Sequence, residues 1–102
     1  MKYNKLVRDK IPKIIEKDNK RPITHIASEK DYHDKLKEKL KEEIDEFFKD
    51  ENEEEFADIL EVIYAISDFK GFDRNRVNKI RVKKAKKRGG FKDRIILDEV
   101  KS

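Results

Sequence analysis

The sequence has no cysteine and no long hydrophobic run. The absence of cysteine excludes disulfides, zinc–thiolate sites and a thiol nucleophile. The longest apolar stretch, ILEVIYAI, is interrupted by Glu61 and is too short to cross a bilayer. The opening residues, MKYNKLVRDK, contain no apolar signal core. We therefore expect a soluble cytoplasmic protein that has no membrane partner.

Apolar residues are scarce in this chain. Hydrophobic residues make up 35% of its 102 residues and charged residues 49%. A chain of this length forms one domain, predicted here over residues 1–102, but its core is small. Such a chain either packs its helices economically or completes its core by forming an oligomer. Because the apolar residues keep a helical period, we expect a folded protein.

Helical periodicity and capping residues predict an all-α fold with four helices. Ser28 and Asp73 have the side chains of N-caps, and Gly71 and Gly89 suit helix ends. The predicted helices cover residues 9–19, about 29–50, about 53–70 and 74–88. Residues 21–27 are expected to form an extended connector or a short strand. We expect a compact antiparallel bundle of about four helices, completed by dimerisation.

The charged residues are segregated along the chain. Residues 1–28 carry eight Lys or Arg and three Asp or Glu, and residues 29–61 carry fifteen acids and six bases. Residues 74–94 carry eleven bases and one acid. Two interpretations follow: the acidic and basic segments neutralise one another in the fold, or they form a cation site facing an anion site.

Four carboxylates fall on or beside the apolar faces of the second and third helices on a helical wheel: Glu43, Glu46, Glu55 and Asp58. Because a short turn joins these helices, they are expected to pack antiparallel with the two acid pairs facing one another. Buried like charges are costly, and a hard divalent cation would relieve that cost. Oxygen ligands without His or Cys favour Mg²⁺ or Mn²⁺. The alternative is that these acids lie at the core margin and pair with lysines.

Basic residues supply candidate anion-binding groups. Lys39 either forms an i,i+4 ion pair with Glu43 or binds an anion that the metal also holds. On the fourth helix, Arg81, Lys84 and Arg88 lie within about 40° of Val77, on the expected packing face with Ile80 and Ala85. This basic helix has no interleaved aromatic residues and follows no helix-turn-helix pattern. We therefore favour a metal–polyphosphate ligand over nucleic acid.

Three motifs occur in a fixed order: KxxEExxE (Lys39, Glu42, Glu43 and Glu46), EExxD (Glu54, Glu55 and Asp58) and KxxxR (Lys84 and Arg88). Together they resemble the all-α nucleoside triphosphate pyrophosphohydrolases, which include the MazG-like and phosphoribosyl-ATP pyrophosphohydrolase-like proteins. The flanking segments YNKLVRDKIPKII and KKRGGFKDRIIL are similar to those of the short phosphoribosyl-ATP pyrophosphohydrolase-like group. The resemblance spans nearly the whole chain.

The resemblance implies hydrolysis of a nucleoside triphosphate to a monophosphate and pyrophosphate, and house-cleaning of nucleotides is a function within the family. It implies that Mg²⁺, or Mn²⁺, is held by Glu43, Glu46, Glu55 and Asp58. Glu42 or Glu54 would orient or deprotonate the attacking water. The phosphate-binding residues would be Lys39, Lys84 and Arg88, with Arg81, Lys5 and Arg8 as further candidates.

The family also implies a homodimer, which the small core independently favours. Two alternative functions remain open at this point. One is a basic helical module that binds nucleic acid, and the other is a non-catalytic helical interaction module.

Overall fold

The structure, a computed structural model, describes residues 3–102 and is all-helical over that range. Met1 and Lys2, at the start of the expected single domain, lie outside the described residues. The four helices are α1 (Ile11–Lys17), α2 (Glu29–Lys49), α3 (Glu53–Lys70) and α4 (Arg74–Arg88). The all-α prediction is confirmed, and residues 21–27 contain no strand. Within residues 3–102, none of the helices has the length and apolar character that a membrane span requires.

Capping residues fix the start of α2, the end of α3 and the start of α4 as the sequence predicted. The Ser28 hydroxyl accepts a hydrogen bond from the backbone N–H of Asp31 at 3.2 Å. The Asp73 carboxylate accepts from the backbone N–H of Asn75 at 2.8 Å. Gly71 follows α3 with a φ of 72°, a left-handed conformation that costs glycine little. These caps satisfy backbone groups that have no partner within a helix.

The core lies between α2 and α3, which run antiparallel. Near the start of α2, the Tyr32 ring meets the edge of Phe69 at a centroid distance of 5.4 Å. Near its end, Phe47 meets Phe56, close to the start of α3, at 5.7 Å. Leu36 is the most completely buried side chain in the described part, with 1% of its surface exposed. A pair of helices with this spacing of apolar residues buries one narrow seam.

The two histidines have no place in the predicted site, and the structure gives one of them a packing role. The His33 ring stacks on Phe69, with ring centroids 5.2 Å apart and an interplanar angle of 19°. His25 is an exposed residue of the connector. His33 is therefore a packed imidazole and His25 a surface imidazole.

The chain divides into two units, one ending at Lys70 and the other comprising Gly71–Ser102. Every residue of the second unit is exposed, including Val77 (47%) and Ile80 (49%). The packing face of Val77, Ile80 and Ala85 on α4 stays a prediction. Within α4 the apolar residues are separated by Lys and Arg and form no continuous stripe. The single domain and the four-helix bundle stay predictions.

Candidate metal and phosphate site

Three of the four predicted metal ligands come together on the α2–α3 pair. Glu43, Glu55 and Asp58 each offer one carboxylate oxygen, and these oxygens lie within 4.8 Å of one another. Glu43 comes from α2, and the other two come from the first two turns of α3. The three residues are partly buried. The i,i+3 spacing of Glu55 and Asp58 places both on the side of α3 that faces Glu43. We call these three residues the acid cluster.

The start of α3 fixes the position of Glu55. The side-chain oxygen of Asn52 accepts a hydrogen bond from the backbone N–H of Glu55 at 2.9 Å. Asn52 is therefore the N-cap of α3, a role that was not predicted from the sequence. The available signal was the NxxE spacing of a capping box. A carboxylate in the first turn is also favoured by the helix dipole.

The acid cluster repels additional negative charge. Partial burial, reinforced by the charges of Asp58, Glu46 and Glu43, raises the pKa of Glu55 above its ordinary value. Glu55 in the folded protein therefore binds a proton more tightly than a glutamate side chain in water does. A cation at this position would lower the electrostatic free energy of the same carboxylates.

Lys39 forms the short-range ion pair that was one of its two predicted roles. Its Nζ lies 3.4 Å from Glu43 Oε1 and 3.5 Å from Glu42 Oε1. The side chains of Lys39 and Glu43 are only 17% and 13% exposed, so this pair is better shielded from water than the others at the site. The i,i+4 spacing within α2 produces this contact. A role for Lys39 in binding phosphate stays a prediction.

The segment before α1 delivers two more cations to the same region. The Lys5 ammonium lies 3.2 Å from Glu42 Oε1, and Arg8 Nη2 lies 2.8 Å from Asp58 Oδ1. The Lys35 ammonium donates to the backbone carbonyl of Asn4 at 2.9 Å, which ties the segment to α2. The sequence offered the i,i+3 spacing of Lys5 and Arg8 but not their acidic partners, because these pairings join residues far apart in the chain.

Glu42 is held in its charged form by these neighbours. Desolvation alone would raise its pKa, but the hydrogen bond from Lys5 and the charges of Lys39 and Lys5 outweigh that effect and lower the pKa. A carboxylate with a lowered pKa is a weak proton acceptor. Glu42 is therefore better suited to orienting a water molecule than to deprotonating one.

Two other predicted acids lie outside the acid cluster. The Glu46 side chain is 48% exposed and its Oε1 lies 3.7 Å from the Lys49 ammonium. Its charge still contributes to raising the pKa of Glu55, so it is near the cluster without joining it. Glu54 is an exposed residue of the first turn of α3. Metal binding by Glu46 and a catalytic role for Glu54 stay predictions.

The remaining predicted phosphate contacts belong to the second unit. Arg81, Lys84 and Arg88 are exposed residues of α4. The Arg81 guanidinium donates twice to the side-chain oxygen of Asn78, at 3.1 and 3.0 Å, within the same helix. Whether these three residues act with the acid cluster stays a prediction.

The donor chemistry of the acid cluster fits a hard divalent cation. Three carboxylate oxygens from two helices converge, and neither a sulfur nor an imidazole ligand is among them. Mg²⁺ and Mn²⁺ bind such oxygen donors, and Mg²⁺ usually completes its coordination with water or substrate phosphate. Glu43, Glu55 and Asp58 would hold the ion, and Glu46, whose charge acts on Glu55, is the remaining predicted ligand.

Comparisons of this chain with protein-family models, curated proteins and solved structures give no significant match. The resemblance to the pyrophosphohydrolases therefore depends on the motif residues themselves. The acid cluster carries the functional argument that follows.

Proposed function

We propose that this protein is a nucleoside triphosphate pyrophosphohydrolase that depends on a divalent cation and cleaves the bond between the α and β phosphates. The single observation that carries the proposal is the convergence of Glu43, Glu55 and Asp58 from two antiparallel helices. Support comes from three neighbouring cations: Arg8 pairs with Asp58, Lys39 pairs with Glu43, and Lys5 pairs with Glu42. Acids that hold a metal beside bases that hold phosphate are what such a substrate requires.

The reaction adds water across the α–β anhydride. The water oxygen forms a bond to the α phosphorus, the bond from that phosphorus to the bridging oxygen breaks, pyrophosphate leaves with the electron pair, and a proton of the water is released to solvent. Mg²⁺, when bound, would neutralise phosphate charge and lower the pKa of the attacking water. Glu42 would orient that water through its carboxylate, with Glu54 as the other candidate. Lys39 would donate hydrogen bonds to phosphate oxygens and stabilise the charge that develops on them.

The basic residues of α4 would extend the phosphate site. In the proposal, Lys84 and Arg88 bind the pyrophosphate portion of the substrate, with Arg81 as a further contact. All are exposed and carry no acidic partner within α4, which contains no Asp or Glu. A phosphate-rich ligand would supply the missing negative charge.

Assembly is part of the proposal, because α3 leaves apolar side chains exposed along one face. Phe56 is 51% exposed, Leu60 37% and Ile63 42%. A second copy of the chain would cover this face and form a homodimer. Equilibrium sedimentation of the wild-type protein at micromolar concentration tests it, with Ile63→Asp expected to yield monomer. Ile23→Asp is the matched control, since Ile23 is 93% exposed on the connector. A wild-type monomer with full activity would contradict the homodimer.

The decisive experiment measures pyrophosphate release from a panel of nucleoside triphosphates, with Mg²⁺, with Mn²⁺ and with a chelator. We expect turnover that requires the cation and yields monophosphate and pyrophosphate in equal amounts. Preference for a non-standard base would support a house-cleaning role in the cytoplasmic nucleotide pool. Release of orthophosphate instead would place cleavage at the other anhydride bond, and absence of any product would overturn the proposal.

A second candidate function is nucleic-acid binding by α4. The observation favouring it is that the helix carries nine Lys or Arg, contains no acid and is exposed along its whole length. Such binding would require no divalent cation, and its affinity would fall steeply with salt. A chain that retains DNA at low salt but releases no pyrophosphate would favour this candidate or a non-catalytic interaction module.

A further inference from the structure

We propose that Arg8 is a resident counter-ion of Asp58 which transfers to substrate phosphate, so that the acid cluster takes up a cation–triphosphate complex in preference to the bare cation. This inference rests on the proposed function, since it assigns the ligand form and the order of events at the same site. The groups involved are the Arg8 side chain, in the segment before α1, and the carboxylates of α2 and α3.

The Asp58 carboxylate takes part in two interactions. Asp58 supplies an oxygen to the acid cluster and also accepts the 2.8 Å hydrogen bond from Arg8 Nη2. A guanidinium and a divalent cation on the same carboxylate repel one another at short range. Binding of a cation by Asp58 is therefore opposed for as long as Arg8 stays in place.

The balance of charge at the site favours a cation–triphosphate complex over a bare cation. Four carboxylates, those of the acid cluster and Glu42, are accompanied by three cations, Lys5, Arg8 and Lys39. A bare divalent cation would leave this group with net positive charge. Glu46 does not alter the balance, because Lys49 accompanies it. A triphosphate brings the negative charge that both the metal and the displaced cations require.

The ion pair between Arg8 and Asp58 is easily exchanged for a contact between Arg8 and phosphate. The Arg8 side chain is 57% exposed and that of Asp58 is 41% exposed, and ion pairs so accessible to water contribute little to stability. The guanidinium has a fork of donors that matches a phosphate group as well as a carboxylate. Arg8 precedes α1, which begins at Ile11, so its side chain can reorient without unfolding that helix.

The test measures binding of Mn²⁺ by electron paramagnetic resonance, without nucleotide and with a triphosphate whose α–β bridging oxygen is replaced by a methylene group. Arg8→Ala should bind bare Mn²⁺ about threefold more tightly than the wild type, because the competing guanidinium is gone. It should bind the Mn²⁺–analogue complex about tenfold more weakly, because a phosphate contact is lost. Arg21→Ala, which removes an exposed arginine of the connector, should change neither affinity.

The two opposite changes in Mn²⁺ affinity distinguish the exchange of Arg8 between carboxylate and phosphate from a purely structural role of Arg8. If Arg8→Ala weakens or does not change the affinity for bare Mn²⁺, or leaves the affinity for the complex intact, the exchange is overturned. If the wild type binds Mn²⁺ in neither form, the proposed function itself fails, which is a different result.

A measurement on the wild-type protein covers the cases in which Arg8→Ala does not fold or bare Mn²⁺ binding is too weak to compare. Nitrogen-15 NMR of the Arg8 side chain should show its Nε signal shift when the Mg²⁺–analogue complex is added. Its position should respond much less to Mg²⁺ alone. An unchanged signal in the presence of a saturating complex would overturn the proposal.

Discussion

The α2–α3 pair and the segment Gly71–Ser102 both combine apolar and charged residues, but they differ in the sign of the charge and in the placement of the apolar residues. Residues 1–70 carry nineteen acids and fifteen bases, whereas residues 71–102 carry four acids and twelve bases. On α2 and α3 the apolar residues form facing stripes, and Leu36 and Val62 are buried between them. On α4 the apolar residues are scattered among cations, and every residue of Gly71–Ser102 is exposed.

The difference shows that helix-forming residues and correct caps are not sufficient to specify packing. Asp73 caps α4 and Gly89 ends it, yet the helix has no apolar stripe to bury. A helix of fifteen residues is marginal on its own, and like charges at i,i+3 and i,i+4 destabilise it further. An anionic partner would relieve this repulsion. The acid cluster has the opposite requirement, since its carboxylates are stabilised by a cation.

The largest expected effect is on the free energy of unfolding, when one apolar side chain is truncated in each region. Leu36→Ala should lower the free energy of unfolding by about 2–5 kcal/mol, because it opens a cavity in the α2–α3 seam. Ile80→Ala on α4 should change it by less than about 0.5 kcal/mol in dilute protein. Urea unfolding of both variants provides the measurement. An equal loss for Ile80→Ala would show that α4 is packed in solution and would break the comparison.

The next effect concerns the acid cluster. Glu43→Gln or Asp58→Asn should reduce Mg²⁺-dependent turnover more than about 100-fold, because each removes a charged ligand while keeping the shape of the side chain. Glu61→Gln, on the exposed polar face of α3, is the matched control and should retain turnover. Thermal unfolding in chelator should show each cluster variant folded. Wild-type turnover in a folded variant would remove that residue from the site.

The contrast between the regions also separates what the sequence could predict from what it could not. Helix ends at Ser28, Gly71 and Asp73 were predictable, because capping depends on residues within one turn. The convergence of Glu43 with Glu55 and Asp58 was predictable from two wheels and a short turn. These features need only local geometry and the antiparallel packing of neighbouring helices.

Long-range pairing and the surroundings of α4 could not be predicted in this way. The ion pairs from Lys5 to Glu42 and from Arg8 to Asp58 join residues 37 and 50 positions apart, and no periodicity encodes such partners. The wheel for α4 predicts a packing face but does not identify what would cover Val77. Glu46 pairs with Lys49 and lies outside the acid cluster. The angle of a residue on a helical wheel does not determine which of two nearby partners its side chain contacts.

A smaller effect is expected from the basic region. The double variant Lys84→Ala, Arg88→Ala should raise KM for the triphosphate by about tenfold and lower kcat, because phosphate contacts are lost. Lys79→Ala with Lys83→Ala removes the same charge from α4 and is the matched control. Steady-state kinetics and DNA retention should be measured in parallel. Unchanged kinetics with weakened DNA retention would favour the nucleic-acid candidate over a phosphate site.

The smallest effects are two opposite shifts in the pH dependence of stability, measured in chelator. The raised pKa of Glu55 means that its ionised carboxylate destabilises the folded chain. Its stabilising contribution is present below the unfolded-state pKa and is lost as pH rises through the folded pKa. Glu55→Gln should therefore have a higher Tm than the wild type at neutral pH. The two melting temperatures should converge as pH falls below the ordinary glutamate value of 4.5.

Glu42 supplies the control of opposite sign. Because its pKa is lowered in the folded chain, its contribution to stability is present above the unfolded-state pKa and is lost as pH falls through the folded pKa. Glu42→Gln should therefore melt at a lower temperature than the wild type at neutral pH, with the difference disappearing in acid. The shifts should be small, since the Glu42 side chain is 37% exposed and water screens its ion pairs. If Glu55→Gln lowered the Tm at neutral pH as Glu42→Gln does, the carboxylates of the cluster would already be neutralised, and their need for a cation would disappear.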